Sequence, residues 1–83
     1  MGYEYILKVP EEYRASAAEE VKLRLPKILA SDAGSSSSIE VYAIPEGLFI
    51  CDNLSNPQMA ALIFRRAIDL LLSVSPTVCI EDA

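Results

Sequence analysis

Histidine and tryptophan are absent from this chain of 83 residues, and it holds only three glycines, two cysteines and seven basic residues. Without histidine, no side chain ordinarily titrates near neutral pH, which removes Ser-His and Cys-His nucleophile activation and imidazole metal sites together. The two thiols, Cys51 and Cys79, stand singly among apolar neighbours, with no CxxC spacing and no ligand-spaced group. They are expected to be buried free cysteines in a reducing compartment. Seven Lys and Arg against twelve Asp and Glu leave a net charge of −5. That balance opposes binding to nucleic acid or anionic membranes, since both rest on neutralising phosphate. Apolar runs fall far short of the roughly 20 residues a membrane span needs, and no charged segment with an apolar stretch behind it opens the sequence. The expectation is a cytoplasmic protein that is not an enzyme, with no cofactor and no metal, and with neither nucleic acid nor membrane as a partner.

What is present is apolar. The hydrophobic fraction is 52% and the charged fraction 23%, which argues against disorder and for self-association. A single domain of this size buries roughly 60–65% of the surface its unfolded chain exposes, so the core is small and surplus apolar side chains need another cover.

The organising stretch is Ile39 to Asn53. Ile39, Val41 and Ala43 alternate with Glu40, Tyr42 and Ile44, Pro45-Glu46-Gly47 interrupts the run, and Leu48 to Asp52 resumes it. Two strands joined by a short Gly-bearing turn make a hairpin. Neither strand has a cleanly polar face, so at least one face of the hairpin needs further cover. Upstream, Tyr3 to Val9 sets Tyr3, Tyr5, Leu7 and Val9 against Glu4, Ile6 and Lys8, the period of a half-buried strand.

Pro10-Glu11-Glu12 opens a helix, because proline lacks only an amide that would be unpaired there and carboxylates suit the positive end of the dipole. From Glu11 to Ser31 a helical stripe gathers Ala17, Ala18, Val21, Leu25, Ile28 and Leu29, while Glu19/Lys22 and Glu20/Arg24 form surface pairs. Val21 to Leu25 also alternates like a strand, and Pro26 would kink or restart the helix. Ile28 and Leu29 keep the helical period beyond it. Ser31 to Ser38 reads as a surface loop, with Gly34 placed to terminate the helix.

A second helix is announced by Ser55 and Gln58 at capping-box spacing, with Pro57 in the first turn. Met59, Ala60, Ile63, Phe64, Ala67, Ile68, Leu70, Leu71 and Val74 fill half its circumference, and Leu62 and Leu72 fall outside that arc. Ser75-Pro76 ends it, and Thr77 to Glu81 is β-favouring, with Val78 and Ile80 on one face.

The order strand, helix, strand, strand, helix, strand resembles the ferredoxin-like α/β plait over the whole chain. That resemblance implies an α+β fold with two helices on one face of an antiparallel sheet in order 4-1-3-2, and it implies nothing about chemistry. Tyr5 and Phe49 loosely resemble the aromatic positions of RNA-recognition modules, but the basic, Gly-rich third-strand pattern is missing. Val9-Pro10-Glu11 has no CxxC of the metal-carrying plaits and no glycine of the amino-acid-binding ones.

The functional expectation is an acidic interaction or regulatory module, homodimeric or bound to a protein partner. A small-ligand-binding domain is the alternative, and a cysteine-dependent enzyme built on Cys51-Asp52-Asn53 stands third. The candidate interface is Tyr42, Ile44, Phe49, Leu62 and Leu72, the apolar surplus once one sheet face is filled, with Arg66 as a bidentate anchor for a carboxylate or phosphate. Arg65 is expected to pair with Asp69 four residues on.

Overall fold

The computed structural model describes residues 3–30, 39–54 and 56–83. The Ser31 to Ser38 segment with Gly34, the Ser55 cap and the side chain of Leu29 lie outside the described residues.

Strands β1 (Tyr3–Lys8), β2 (Ile39–Ile44), β3 (Gly47–Asp52) and β4 (Cys79–Asp82) form one antiparallel sheet in order β2-β3-β1-β4. Helices α1 (Arg14–Ala30) and α2 (Pro57–Leu72) follow β1 and β3. This is the ferredoxin-like α+β arrangement. The strand side chains that are buried, Leu7, Ile39, Val41, Leu48 and Ile50, share one phase of the pleat, and both helices pack on that side. Leu7, Leu48 and Ile50 are fully buried under Ile63, Leu70 and Leu71 of α2 and Val21 and Leu25 of α1.

Helix α1 enters through a 3₁₀ turn, Glu11–Tyr13, after Pro10. The turn is held by Tyr13 N–H donating to the Pro10 carbonyl at 2.9 Å and by Arg14 Nε donating to the Val9 carbonyl at 3.1 Å. The stretch Val21 to Leu25 is helical, and Pro26 lies inside α1. Its ring sits on the exposed side, where an apolar stripe loses nothing to it. Ala17, Val21, Leu25 and Ile28 face the core as the period requires, whereas Ala18 is exposed. Arg24 is drawn from Glu20 toward α2, donating to Ser73 Oγ at 3.0 Å.

Both ends of α2 and the start of β4 differ from the sequence expectation, each for a hydrogen-bonding reason. Asn56, not Ser55, caps α2, because its Oδ1 accepts from Met59 N–H at 3.1 Å with Pro57 following in the first turn. The helix stops at Leu72, short of Ser75-Pro76, where Ser73 folds its hydroxyl onto the Leu70 carbonyl and Ser75 N–H reaches Leu71 O at 3.0 Å. Val74 therefore packs on the core from the capping turn. Strand β4 begins at Cys79, since buried Ser75 donates to the Thr77 carbonyl at 2.7 Å and holds that residue in a turn. Cys51 and Cys79 are free, on strands flanking β1; against expectation neither is buried, Cys51 being half-buried and Cys79 exposed, because both lie on the face the helices leave uncovered.

The hairpin turn is Pro45-Glu46, and Gly47 already belongs to β3, opposite Ile44 and Lys8. Its φ is +155°, and a Cβ there would lie 2.2 Å from the Leu7 carbonyl oxygen. The clash is with backbone of the central strand, so no side chain is free to yield.

Two consequences are measurable. Gly47→Ala should lower stability by about 2 kcal/mol or more, a fall of roughly 10 °C in melting temperature for a domain this small; an unchanged melting temperature would contradict the close approach. Ile63→Asp buries a charge at a position 1% exposed and should unfold a domain whose whole stability is about 4–12 kcal/mol. By contrast, Arg65→Ala removes an exposed pair with Asp69 at 3.8 Å and should cost no more than about 0.5 kcal/mol. Denaturant unfolding of both variants checks the register of α2.

Candidate functional site

Because the helices cover one face, every second strand residue points to the other. That face has a row-by-row order fixed by the register. Tyr42, Phe49, Ile6 and Glu81 lie side by side across the four strands. On one side of this row lie Ile44, Gly47, Lys8 and Cys79, and on the other Glu40, Cys51 and Glu4. An apolar band therefore crosses the sheet between a row carrying a lysine and a row carrying two glutamates.

The band is partly self-covered. Tyr42 and Phe49 pack at a ring-centroid distance of 6.3 Å and a 41° tilt, and Phe49, Ile6 and Ile44 are half-buried while Tyr42 remains 51% exposed. Lys8 Nζ pairs with Glu81 Oε1 at 3.0 Å across the β1–β4 boundary. The Tyr42 hydroxyl donates to Glu40 Oε1, two residues back on the same face. That hydrogen bond, with a smaller contribution from desolvation and then from the Glu40 charge, raises the Tyr42 phenol above its ordinary 10.0.

Of the expected interface residues, Tyr42, Ile44 and Phe49 come together here. Leu62 and Leu72 do not join them. Both are exposed on the outer side of α2, but ten residues separate them, which sets them about 80° apart around the helix. One turn beyond Leu62 stands Arg66, which is half-buried and already engaged by another group, so it is not the free anchor expected. Sequence reasoning missed Ile6, whose membership was signalled by its alternation with Leu7 but is fixed only by the pairing with Phe49.

The third arrangement, Cys51-Asp52-Asn53, closes on itself. The Cys51 thiol donates to Asn53 Oδ1 at 3.5 Å, and Asp52 Oδ1 accepts from Leu54 N–H at 2.8 Å, holding Leu54 at φ +62°. These contacts shape the turn into α2 and aim neither group at a common reacting position.

A second concavity lies on the helix side, at the ends of β1 and β3. Tyr5, Asp52, Ala60, Phe64, Arg65 and Ile68 line an open groove of about 440 Å³ beside α2. Among the described residues no three His, Cys, Asp or Glu side chains gather as a metal site, and no helix is long and apolar enough to cross a membrane. No protein-family model, curated protein or solved structure matches the chain.

The Tyr42–Glu40 contact is testable by pH. A raised phenol means that the folded protein favours the neutral hydroxyl, so its stabilising contribution is complete below pH 10.0 and is lost as pH rises through the elevated value. In a near-ultraviolet difference titration of the wild type against Tyr42→Phe, the missing phenol should ionise above 10.0. Repeating the comparison in a Glu40→Ala background should bring it down toward that value, and identical curves would show that the pair does not form in solution.

Proposed function

We propose that this chain is an interaction module that assembles with a second copy of itself through the open sheet face. The observation that carries this reading is the apolar row Tyr42-Phe49-Ile6, lying between rows of opposite charge. A two-fold axis along that row lays Phe49 on Phe49 and exchanges the flanking rows. Glu4 of one copy then stands opposite Lys8 of its partner, twice over, while Glu81, already paired with Lys8 of its own copy at 3.0 Å, falls at the end of the row on the axis.

Area supports the same choice. Four strands at about 4.8 Å spacing and six residues at about 3.3 Å give a footprint of roughly 400 Å² in projection, which side-chain relief raises toward the roughly 800 Å² per partner of a standard interface. The outer side of α2 offers two isolated leucines instead, with Arg66 one turn from Leu62. Binding of a different protein through the same face is the alternative, and the experiment separates the two.

Sedimentation over a range of concentrations should show a dimer in the micromolar range. Phe49→Lys should give a folded monomer and Leu72→Lys should leave the dimer intact. Lys8→Glu should weaken assembly by about tenfold or more through like charges meeting across the axis, and Glu4→Lys added to it should restore assembly. A monomer at high micromolar concentration would overturn self-association and leave the face to another partner.

A further inference from the structure

On the covered side of the sheet, α2 leaves the fourth strand bare: Ile80 shares the helix side with its register partner Leu7, yet Leu7 is fully buried and Ile80 is 48% exposed. The groove beside α2 lies on this same side of the sheet, against Tyr5 of β1 and Asp52 of β3. We propose that it binds a small organic cation, an amine or quaternary ammonium carried on an apolar or aromatic body. The proposal is independent of dimerisation, which uses the opposite face.

Size, lining and charge each point to that class. A volume of about 440 Å³ falls within the roughly 300–1,000 Å³ of small-molecule sites. Tyr5 on the floor and Phe64 on the wall meet edge to face, with centroids 5.2 Å apart and planes at 84°, and aromatic rings attract a cation over their faces through their quadrupoles. One carboxylate lines the groove with these rings, and a second stands across the strand pair from Tyr5. Asp52 lies in the groove, half-buried, and its Oδ1 is fixed by the Leu54 amide at 2.8 Å, so the acid is held in place before any ligand arrives. Asp82 occupies the β4 position directly opposite Tyr5, on the same side of the pleat.

The one cation in the lining does not reverse this balance. Arg65 is 82% exposed at its side chain and faces Asp69 at 3.8 Å, so its charge is solvated and offset. What remains is an apolar trough with fixed negative charge at its end, which accepts a positive head and an apolar body and disfavours an anion.

Three probes with one apolar body and different heads test the assignment on the full chain: phenethylamine, 2-phenylethanol and phenylacetate, titrated by NMR into isotopically labelled protein. Phenethylamine should give saturable shifts at Tyr5, Phe64 and Asp52 with a dissociation constant on the order of 1 mM, as suits so small a ligand. The alcohol and the acid should bind about tenfold more weakly or not at all. Asp52→Asn keeps an oxygen for the Leu54 amide while removing the charge, and should weaken phenethylamine about tenfold with the shifts of the core unchanged. Asp82→Asn, on an exposed strand end, should weaken it less and tests the same charge should Asp52→Asn fail to fold. Phe49→Lys should bind the amine as the wild type does. Equal affinity for all three probes, preference for phenylacetate, indifference to loss of both carboxylates, or no saturable shift up to about 10 mM amine would each overturn the proposal.

Discussion

Two helices shield one face of a four-stranded sheet, and most features of this molecule descend from that one-sided cover. The inner strands β1 and β3 place Leu7, Leu48 and Ile50 in complete burial beneath α2, and each such side chain contributes about 1.5–3 kcal/mol relative to exposure. Period two then leaves no choice about the alternate positions. Ile6 and Phe49 belong to the same two strands and are sent to the other side by the residues that build the core. The exposed apolar band is thus the unavoidable reverse of the core pattern, and what distinguishes it is that its residues are aliphatic and aromatic where a solvated face would be polar.

Polar chemistry is used sparingly and locally. Ser73, Ser75, Asn56 and Asp52 each satisfy backbone groups within a few residues of themselves, at the two ends of α2. These side chains define where elements begin and end, while burial decides how they stack. A long-range side-chain hydrogen bond, Arg24 to Ser73, ties α1 to the turn at the end of α2. Among the described residues the core holds no charged group, with buried Ser75 as its polar exception.

That division also explains how much of the structure was legible in the sequence. Element order, the core stripe of α2 and the hairpin follow from hydrophobic period, which acts over ten or more residues and survives local exceptions such as Pro26. Boundaries depend on individual hydrogen bonds, which sequence spacing leaves degenerate: Ser55-Asn56 offers two capping side chains one residue apart, and only the accepted Met59 amide selects Asn56. The surface was legible in part. Tyr42, Ile44 and Phe49 were readable as surplus apolar residues, but their adjacency to Ile6 depends on β1 lying beside β3, a pairing between segments some forty residues apart. The groove was not readable at all, since it depends on how α2 sets Phe64 beside Tyr5 of β1, and no local pattern encodes a helix's lateral position.

The strand order has a consequence for how the chain comes to be folded. Pairs within the hairpin are separated by 3 residues at Ile44–Gly47 and 13 at Ile39–Asp52, whereas Tyr5 meets Asp82 across 77. Among the described residues strand β1 pairs with β3 and β4, both of which follow it by more than thirty residues, so it is made before either partner and paired late. During synthesis YEYILK has neither neighbour until Gly47 and the residues after it have emerged. For that interval an inner strand of the finished sheet has both edges open, and an unpaired strand of this kind favours association with the wrong partner before the fold closes.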